Sequence, residues 1–246
     1  MTEAIVSTFY PEINAGGFSR CDGTVEFYNR VQSLLRPGHV VLDFGAGRGA
    51  AHDLDTSAYR RRLRNLRGEG RHVIGADVDP VVSTNPSIDE AVILDPSETL
   101  PFPENTFDII VSDSTLEHVI NAELVASELG RVLKPGAWLC ARTPNRKGYV
   151  ALANRVISGH LGNRLLSAAQ PDRKAEDIFP AHYRMNSLPT LRVLFPPDRY
   201  FHASFAFDSE PRYYFNRRTV FVLMLMLQAL TPSALKTTLM CFIRKR

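Results

Sequence analysis

The sequence predicts an α/β fold, a mostly parallel sheet covered by helices on both faces. Two observations carry this. Residues 39–44, 72–77, 91–95, 107–112 and 137–142 are apolar almost throughout instead of alternating, the pattern of strands buried on both sides. Segments with helical apolar spacing stand between several of them, and alternation of strand and helix implies parallel pairing.

Taken in order, residues 24–36 place Val25, Tyr28, Val31 and Leu35 on one helical face, and Pro37 and Gly38 stop the helix. The strand at 39–44 runs into a glycine-rich turn, Gly45, Ala46, Gly47, Arg48 and Gly49, after which a helix is expected. Residues 59–71 contain Arg60, Arg61, Arg62, Arg64, Arg67 and Arg71 and read as an exposed, solvated helix. A helix over 122–133 ends at Lys134, Pro135 and Gly136. Beyond Thr143, Pro144 and Asn145 the alternation breaks down, with mixed signals over 146–190 and an aromatic, strand-like stretch over 200–215. Residues 220–230 form an intensely apolar helix, too short at 11 residues to span a bilayer. Core packing is its expected role, with docking on a lipid surface or lipid substrate as the alternative. Residues 237–243 are a last strand.

At 246 residues, with 44% hydrophobic and 22% charged content, one soluble globular domain is expected. Cys21, Cys140 and Cys241 are far apart and lack metal-type spacing, which suits a reducing cytoplasm better than a disulfide framework. The first ten residues lack the basic and apolar regions of a signal peptide. Charge is split. Residues 1–140 hold 12 Lys/Arg and 20 Asp/Glu (net −8), and residues 141–246 hold 17 and 6 (net +11). The basic part either solvates exposed helices or attracts an anionic substrate or membrane surface.

The glycine turn lets the backbone approach a ligand closely, and a following helix offers free N–H groups. Gly45, Gly47 and Ala50 also fit the dinucleotide pattern, so a nicotinamide enzyme is one alternative. Two carboxylates help, and the first argues against it. Asp43 stands two residues before the first glycine, where it would repel a pyrophosphate but face a cationic ligand group. Asp77, at the end of the second strand, can accept both hydroxyls of a ribose, with Asp79 as second choice.

Downstream, Leu100, Pro101 and Phe102 lead into the Phe107 strand. Leu116, Glu117, His118 and Val119 follow, and then Glu128, Leu129, Gly130, Arg131, Val132, Leu133, Lys134, Pro135 and Gly136. In order and spacing, residues 38–145 closely resemble the class I methyltransferases, and more narrowly the small-molecule branch with the quinone- and biotin-pathway enzymes. The resemblance implies a Rossmann-like seven-stranded sheet, S-adenosyl-L-methionine as methyl donor and S-adenosylhomocysteine as product. It further implies that Asp43, Phe44, Gly45, Ala46 and Gly47 contact the methionine part and that Asp77 and Val78 lie at the ribose. Ser112 would lie under the donor, and Asp95, Pro96 or Ser97 would hold adenine, in a segment one residue longer than the common pattern. Ala137 replaces the family's second glycine.

For an oxygen acceptor a base must take the proton. His118, just past the fourth strand, and His182 are the candidates, with Tyr183 as a substrate positioner; His160 and His202 read as surface residues. Arg142, Arg146 and Lys147 follow the fifth strand and could bind a carboxylate or phosphate. The expected organisation is a donor-binding core at 38–145, an acceptor-covering region at 146–215 and a final helix and strand at 216–246. The expected acceptor is a small molecule, a saccharide, a lipid-linked intermediate or another anionic metabolite, with a peripheral membrane contact through 219–231. A nucleic-acid methyltransferase is disfavoured because the chain lacks the Asp/Asn-Pro-Pro-aromatic motif and a cysteine after proline. A non-catalytic binder of the donor is the remaining alternative.

Overall fold

The computed structural model describes residues 2–50, 54–149, 151, 180–211 and 214–246. Eight strands form one sheet: β1 (Val40–Phe44), β2 (His72–Asp77), β3 (Glu90–Ile93), β4 (Phe107–Asp113), β5 (Leu133–Pro144), β6 (Tyr200–His202), β7 (Phe205–Phe207) and β8 (Thr238–Lys245). The order is β3-β2-β1-β4-β5-β8-β6, with β7 also on β8. Strands β1 to β5 pair in parallel, and β8 runs antiparallel to β5.

Seven strands were expected, and the eighth has a simple origin. Strands β6 and β7 occupy successive stretches of the same edge of β8, Tyr200 opposite Lys245 and Phe205 opposite Met240. Between them the Ser204 hydroxyl accepts from the Phe242 N–H (3.0 Å), so a side chain interrupts what is otherwise one edge strand.

The side chains of the central strands divide by parity. Leu42, Phe44, Ile74, Ala76, Ile110, Leu139 and Ala141 pack with α4 (Ala122–Val132) and α5 (Leu188–Leu194). Val41, Val73, Ile109, Val111 and Cys140 pack on the other side with α2 (Gly23–Leu34) and with Leu63 of α3 (Ala58–Arg64). Burial on both faces is why these strands read as unbroken apolar runs. Asp22 caps α2 by accepting from Thr24 and Val25 N–H groups (2.8 and 3.0 Å).

The basic segment departs from expectation. Only residues 58–64 are helical there, and Arg60 and Arg64 turn inward while Arg62 and Arg67 stay exposed. Arg60 pairs with Asp55 (2.7 Å) and Asp22 (3.0 Å), Arg64 with Asp113 (3.1 Å), and Arg67 with Asp89 (2.7 Å). Acids from distant parts of the chain lie beneath this helix, so the arginines cross-link the fold where a solvated surface was expected. The helix predicted after the glycine turn falls partly on residues 51–53, outside the described residues.

The apolar C-terminal helix, α6 (Arg218–Leu230), also departs from expectation. Phe221 alone is fully buried, against Phe9 of α1 (Thr2–Phe9), Tyr10 and Tyr214, at ring separations of 5.0, 6.4 and 4.9 Å. Core packing therefore holds for one side of this helix.

The motif residues at 100–136 frame the sheet. Arg131 donates to the carbonyls of Phe102 (2.8 Å) and Leu100 (3.0 Å) and to both oxygens of Glu128 (2.8 and 2.6 Å), while Glu128 accepts from the Leu100 N–H (2.9 Å). One guanidinium thus pins the approach to β4 onto the last turn of α4. Lys134 pairs with Asp108 (2.8 Å), which also accepts from Val40 N–H (2.9 Å). Lys134, Pro135 and Gly136 form a bulge inside β5, where the register moves from Phe107 opposite Leu133 to Ile109 opposite Trp138. Arg131→Ala would leave Glu128 and two carbonyls without their donor. It should lower unfolding free energy by about 2 kcal/mol in urea titration while leaving donor affinity unchanged.

Candidate active site

The site begins where β1 ends in the middle of the sheet. Gly45 donates to the Ala76 carbonyl (2.7 Å) and has φ +80°, and a Cβ there would overlap the Thr115 side chain. Only glycine fits. Gly47 (φ +52°) faces open space on its Cβ side and donates its N–H to Asp77 Oδ2 (2.8 Å). From the opposite side buried Asn85 donates to the carbonyls of Ala46 (3.0 Å) and Gly47 (3.2 Å). Asn85 follows a 3-10 turn (Pro80–Thr84) capped by Asp79, which accepts from Val81 N–H (2.9 Å). The loop is therefore clamped on both sides, its backbone held in place by Ala76, Asp77 and Asn85.

Three carboxylates lie at the ends of adjacent strands: Asp77 on β2, Asp43 on β1 and Asp113 on β4. Asp113 is neutralised. It accepts from Arg142 Nε (2.8 Å) and Nη2 (2.7 Å), from Arg64 Nη1 (3.1 Å) and from the Tyr28 hydroxyl (3.2 Å). Burial alone would raise its pKa, but the two guanidiniums and the Tyr28 bond outweigh burial and hold it low. Asp43 has no such partner. Among the described residues no group donates a hydrogen bond to it. Its pKa is pushed up to about 7, first by burial and then by the charges of Asp113 and Asp77, against a weaker pull from Arg64. The end of β1 is therefore a place that gains from a cation.

Asp77 also accepts from the Asp79 N–H (2.9 Å), so its carboxylate is oriented by two backbone groups. Phe44 is buried in the core and can offer a ligand only its backbone, while Ala46 is half-buried and Val78 exposed. Ser112 is fully buried, and its hydroxyl meets no hydrogen-bond partner among the described residues. Asp95 and Pro96 lie exposed beyond β3, and Asp95 accepts from the N–H (2.8 Å) and hydroxyl (2.6 Å) of Ser97.

On the other side of the β4 end, a 3-10 turn (Leu116–His118) meets the chain returning at residue 180. His118 Nδ1 lies 2.9 Å from the Pro180 carbonyl, and the N–H groups of His182 and Tyr183 donate to the Glu117 carbonyl (2.7 and 3.1 Å). His118, His182 and Tyr183, far apart in sequence, are thus brought together. His182 is exposed, and Tyr183 is half-buried with φ +53°. Beneath them the buried Glu117 carboxylate accepts from Thr143 Oγ1 (2.8 Å), and Asn186 donates to Thr143 Oγ1 (2.5 Å) and to the Pro144 carbonyl (3.1 Å). Burial pushes the Glu117 pKa up.

Sequence reading passed over Asn85, Glu117 and Asn186. Glu117 stood in the motif beside His118, whereas Asn85 and Asn186 show no local signal because their partners lie about 40 residues away. Arg142 sits differently from the expected outward anion contact. Its guanidinium is occupied by Asp113 and by Thr24 Oγ1 (2.9 Å), since the strand turns it toward α2. Arg146 is half-buried and donates its backbone N–H to Asn186 (2.8 Å). His202 Nε2 lies 2.7 Å from the Phe195 carbonyl, a contact within the fold. His160 and much of the expected acceptor-covering region (150, 152–179, 212 and 213) lie outside the described residues.

Residues 42–141 match the family model described as a methyltransferase domain. A ubiquinone/menaquinone biosynthesis C-methyltransferase from Paraburkholderia phymatum is 28% identical over 193 residues, 73% of this chain and 74% of that protein. One from Hydrogenovibrio crunogenus is 34% identical over 116 residues, 44% of this chain but only 42% of that protein. The crystal structure of a SAM-dependent methyltransferase from Archaeoglobus fulgidus shares the fold, with TM-score 0.55 and 17% identity over 91% of this chain and 92% of that one. The sheet order, the clamped glycine turn and the matched segment define a class I methyltransferase domain. The matched domain is that of an S-adenosylmethionine-dependent methyltransferase, and the chain resembles the quinone-pathway enzymes.

An Asp43 that faces the cationic part of the donor must ionise when the donor binds. Donor affinity should then rise with pH from about 5.5 toward 7, approaching tenfold per unit below the Asp43 pKa, with proton release on binding. The range lies below the titration of the donor's own α-amino group. Calorimetry in buffers of different ionisation enthalpy measures the proton count, and Asp43→Asn should abolish it.

Proposed function

We propose that the chain transfers the methyl group of S-adenosylmethionine to an oxygen of a small anionic or lipid-linked molecule, residues 38–145 holding the donor and 146–215 covering the acceptor. The observation that carries this reading is the uncompensated Asp43 carboxylate beside a clamped glycine turn. Asp43 faces the positive part of the donor, and the backbone from Phe44 to Gly47 lines its methionine end. Asp77 accepts from the ribose hydroxyls, with Val78 beside it, Ser112 lies beneath, and Asp95 and Pro96 border the adenine.

The donor supplies an electrophilic methyl group on a sulfonium. The acceptor oxygen forms its bond to that carbon as the carbon–sulfur bond breaks, so the chain must align the two and remove one proton. His118 is the first candidate for the proton. Its Nδ1 lies at the Pro180 carbonyl and donates to it as N–H, which makes Nε2 the basic nitrogen. His182 is the second candidate base, and Tyr183 positions the acceptor. With Arg142 engaged by Asp113, Arg146 is the remaining arginine for an acceptor anion. The names of the relatives favour a second reading, methylation at carbon on a quinone-like ring.

Calorimetry should show S-adenosylhomocysteine binding at micromolar Kd or tighter, on the order of −8 kcal/mol, and no binding of NAD. Tight NAD binding without response to S-adenosylhomocysteine would overturn the reading. Asp77→Ala should weaken donor binding by roughly 1.5–3 kcal/mol. Asp79→Ala should instead remove a cap, lower stability by about 1 kcal/mol and leave donor affinity close to wild type. With a donor carrying a 13C methyl, the carbon shift of the product separates oxygen from carbon transfer. Arg146→Ala should raise the acceptor KM, as added salt should, with donor affinity unchanged. A KM insensitive to both would make the acceptor neutral.

A further inference from the structure

Helix α6 is apolar on two opposite sides. Phe221, Leu225 and Gln228 turn inward. Phe221 packs under α1, and Gln228 donates to the Tyr149 hydroxyl (3.1 Å) and the Ser209 carbonyl (2.9 Å). On the far side Leu223, Met226, Leu227 and Leu230, at i, i+3, i+4 and i+7, are 64%, 57%, 43% and 83% exposed. This stripe faces water, and such a continuous apolar face marks an interaction site.

Charge selects the occupant. Residues 211–246 contain seven Lys/Arg and no Asp or Glu. Arg217 and Arg218 are exposed at the N-terminal end of the stripe and Lys236 lies just past the other, with exposed Phe215 and Leu235 continuing the apolar surface. At 13 residues, about 20 Å, the helix cannot cross a bilayer core of about 30 Å. An apolar face rimmed by cations suits a helix lying in the plane of an anionic membrane surface.

The segment just after the helix is also tied to the site. Asn145, at the end of β5, donates to the carbonyls of Ala234 (3.0 Å) and Lys236 (2.8 Å), and the adjacent Arg146 N–H reaches Asn186 beside Thr143 and Glu117. The geometry points to α6 as the element that seats the protein on an anionic lipid surface, with the acceptor side of the site at its edge. This deepens the lipid-linked reading of the acceptor and rests on it only for the purpose of docking, not for the docking itself.

The test is sedimentation with vesicles of phosphatidylcholine alone and of an equal mixture with phosphatidylglycerol, without acceptor or methyl donor, so that its outcome is independent of methyl transfer. The wild-type chain should pellet with the anionic vesicles and less so at high salt. Leu223→Ser with Leu227→Ser should bind them at least about tenfold more weakly, and Arg217→Glu with Arg218→Glu should lose the preference for anionic lipid. S-adenosylhomocysteine affinity equal to wild type verifies that each variant is folded. Absence of wild-type binding to anionic vesicles, or equal binding by the Leu223/Leu227 variant, would overturn the inference. So would a wild-type dimer that ignores vesicles and dissociates in that variant, which would assign the face to a second copy of the chain.

Discussion

The ion cluster on Asp113 governs the end of the sheet at which β1, β2 and β4 present their carboxylates. Three carboxylates project from neighbouring strand ends, and the two guanidiniums that reach this region, Arg142 and Arg64, are both directed at one of them. Breaking a half-buried pair of this kind leaves a charge without compensation, at a cost of several kcal/mol. The cluster therefore ties β4, β5, α2 and α3 into one unit. It also leaves Asp43 with two acidic neighbours and no hydrogen-bond donor among the described residues. One allocation of charge links the two: the same arginines that hold the helices down are spent on Asp113, and Asp43 is left to gain from a cation.

The residues that made the sequence legible are mostly framework. Leu100, Phe102, Glu128 and Arg131 identify the methyltransferase class, yet their hydrogen bonds go to one another and fasten a loop to a helix end. Lys134 and Asp108 join β5 to the starts of β4 and β1 at the same end of the sheet. Their spacing here suits one guanidinium that reaches two carbonyls from a fixed helical turn. Such a pattern reports the fold reliably and says little about the acceptor.

Where the reading failed, the interaction was long in sequence or directional. Parity along β1, β2 and β4 is a local property, so five parallel strands could be read from apolar runs. The inward turn of Arg60 and Arg64 depends on Asp22 and Asp113, some 40 and 50 residues away, and no periodicity reports it. The break between β6 and β7 depends on one serine hydroxyl meeting β8. In the site, Asp43, Gly45, Gly47 and Asp77 were visible because they cluster at strand ends, whereas Glu117, Thr143 and Asn186 form a network only after the chain returns at residue 180.

The uneven charge of the two halves takes on a narrower meaning in the structure. Part of the +11 of residues 141–246 is internal: Arg142 is bound to Asp113, and Lys245 donates to the carbonyls of Gly130 and Leu133 (2.8 and 2.7 Å). These charges hold the sheet edge and are poorly placed to attract anything. Arg217 and Arg218 remain exposed beside the apolar stripe of α6, with Arg146 half-buried nearer the site. The acidic ends of β1 and β2 and the basic side of β5 and α6 therefore carry opposite charge, an arrangement that would suit a cationic donor and the anionic or membrane-held acceptor proposed above. Fields of opposite sign on adjoining surfaces would guide two unlike substrates to one reaction centre by separate routes, each screened beyond about 8 Å at physiological salt.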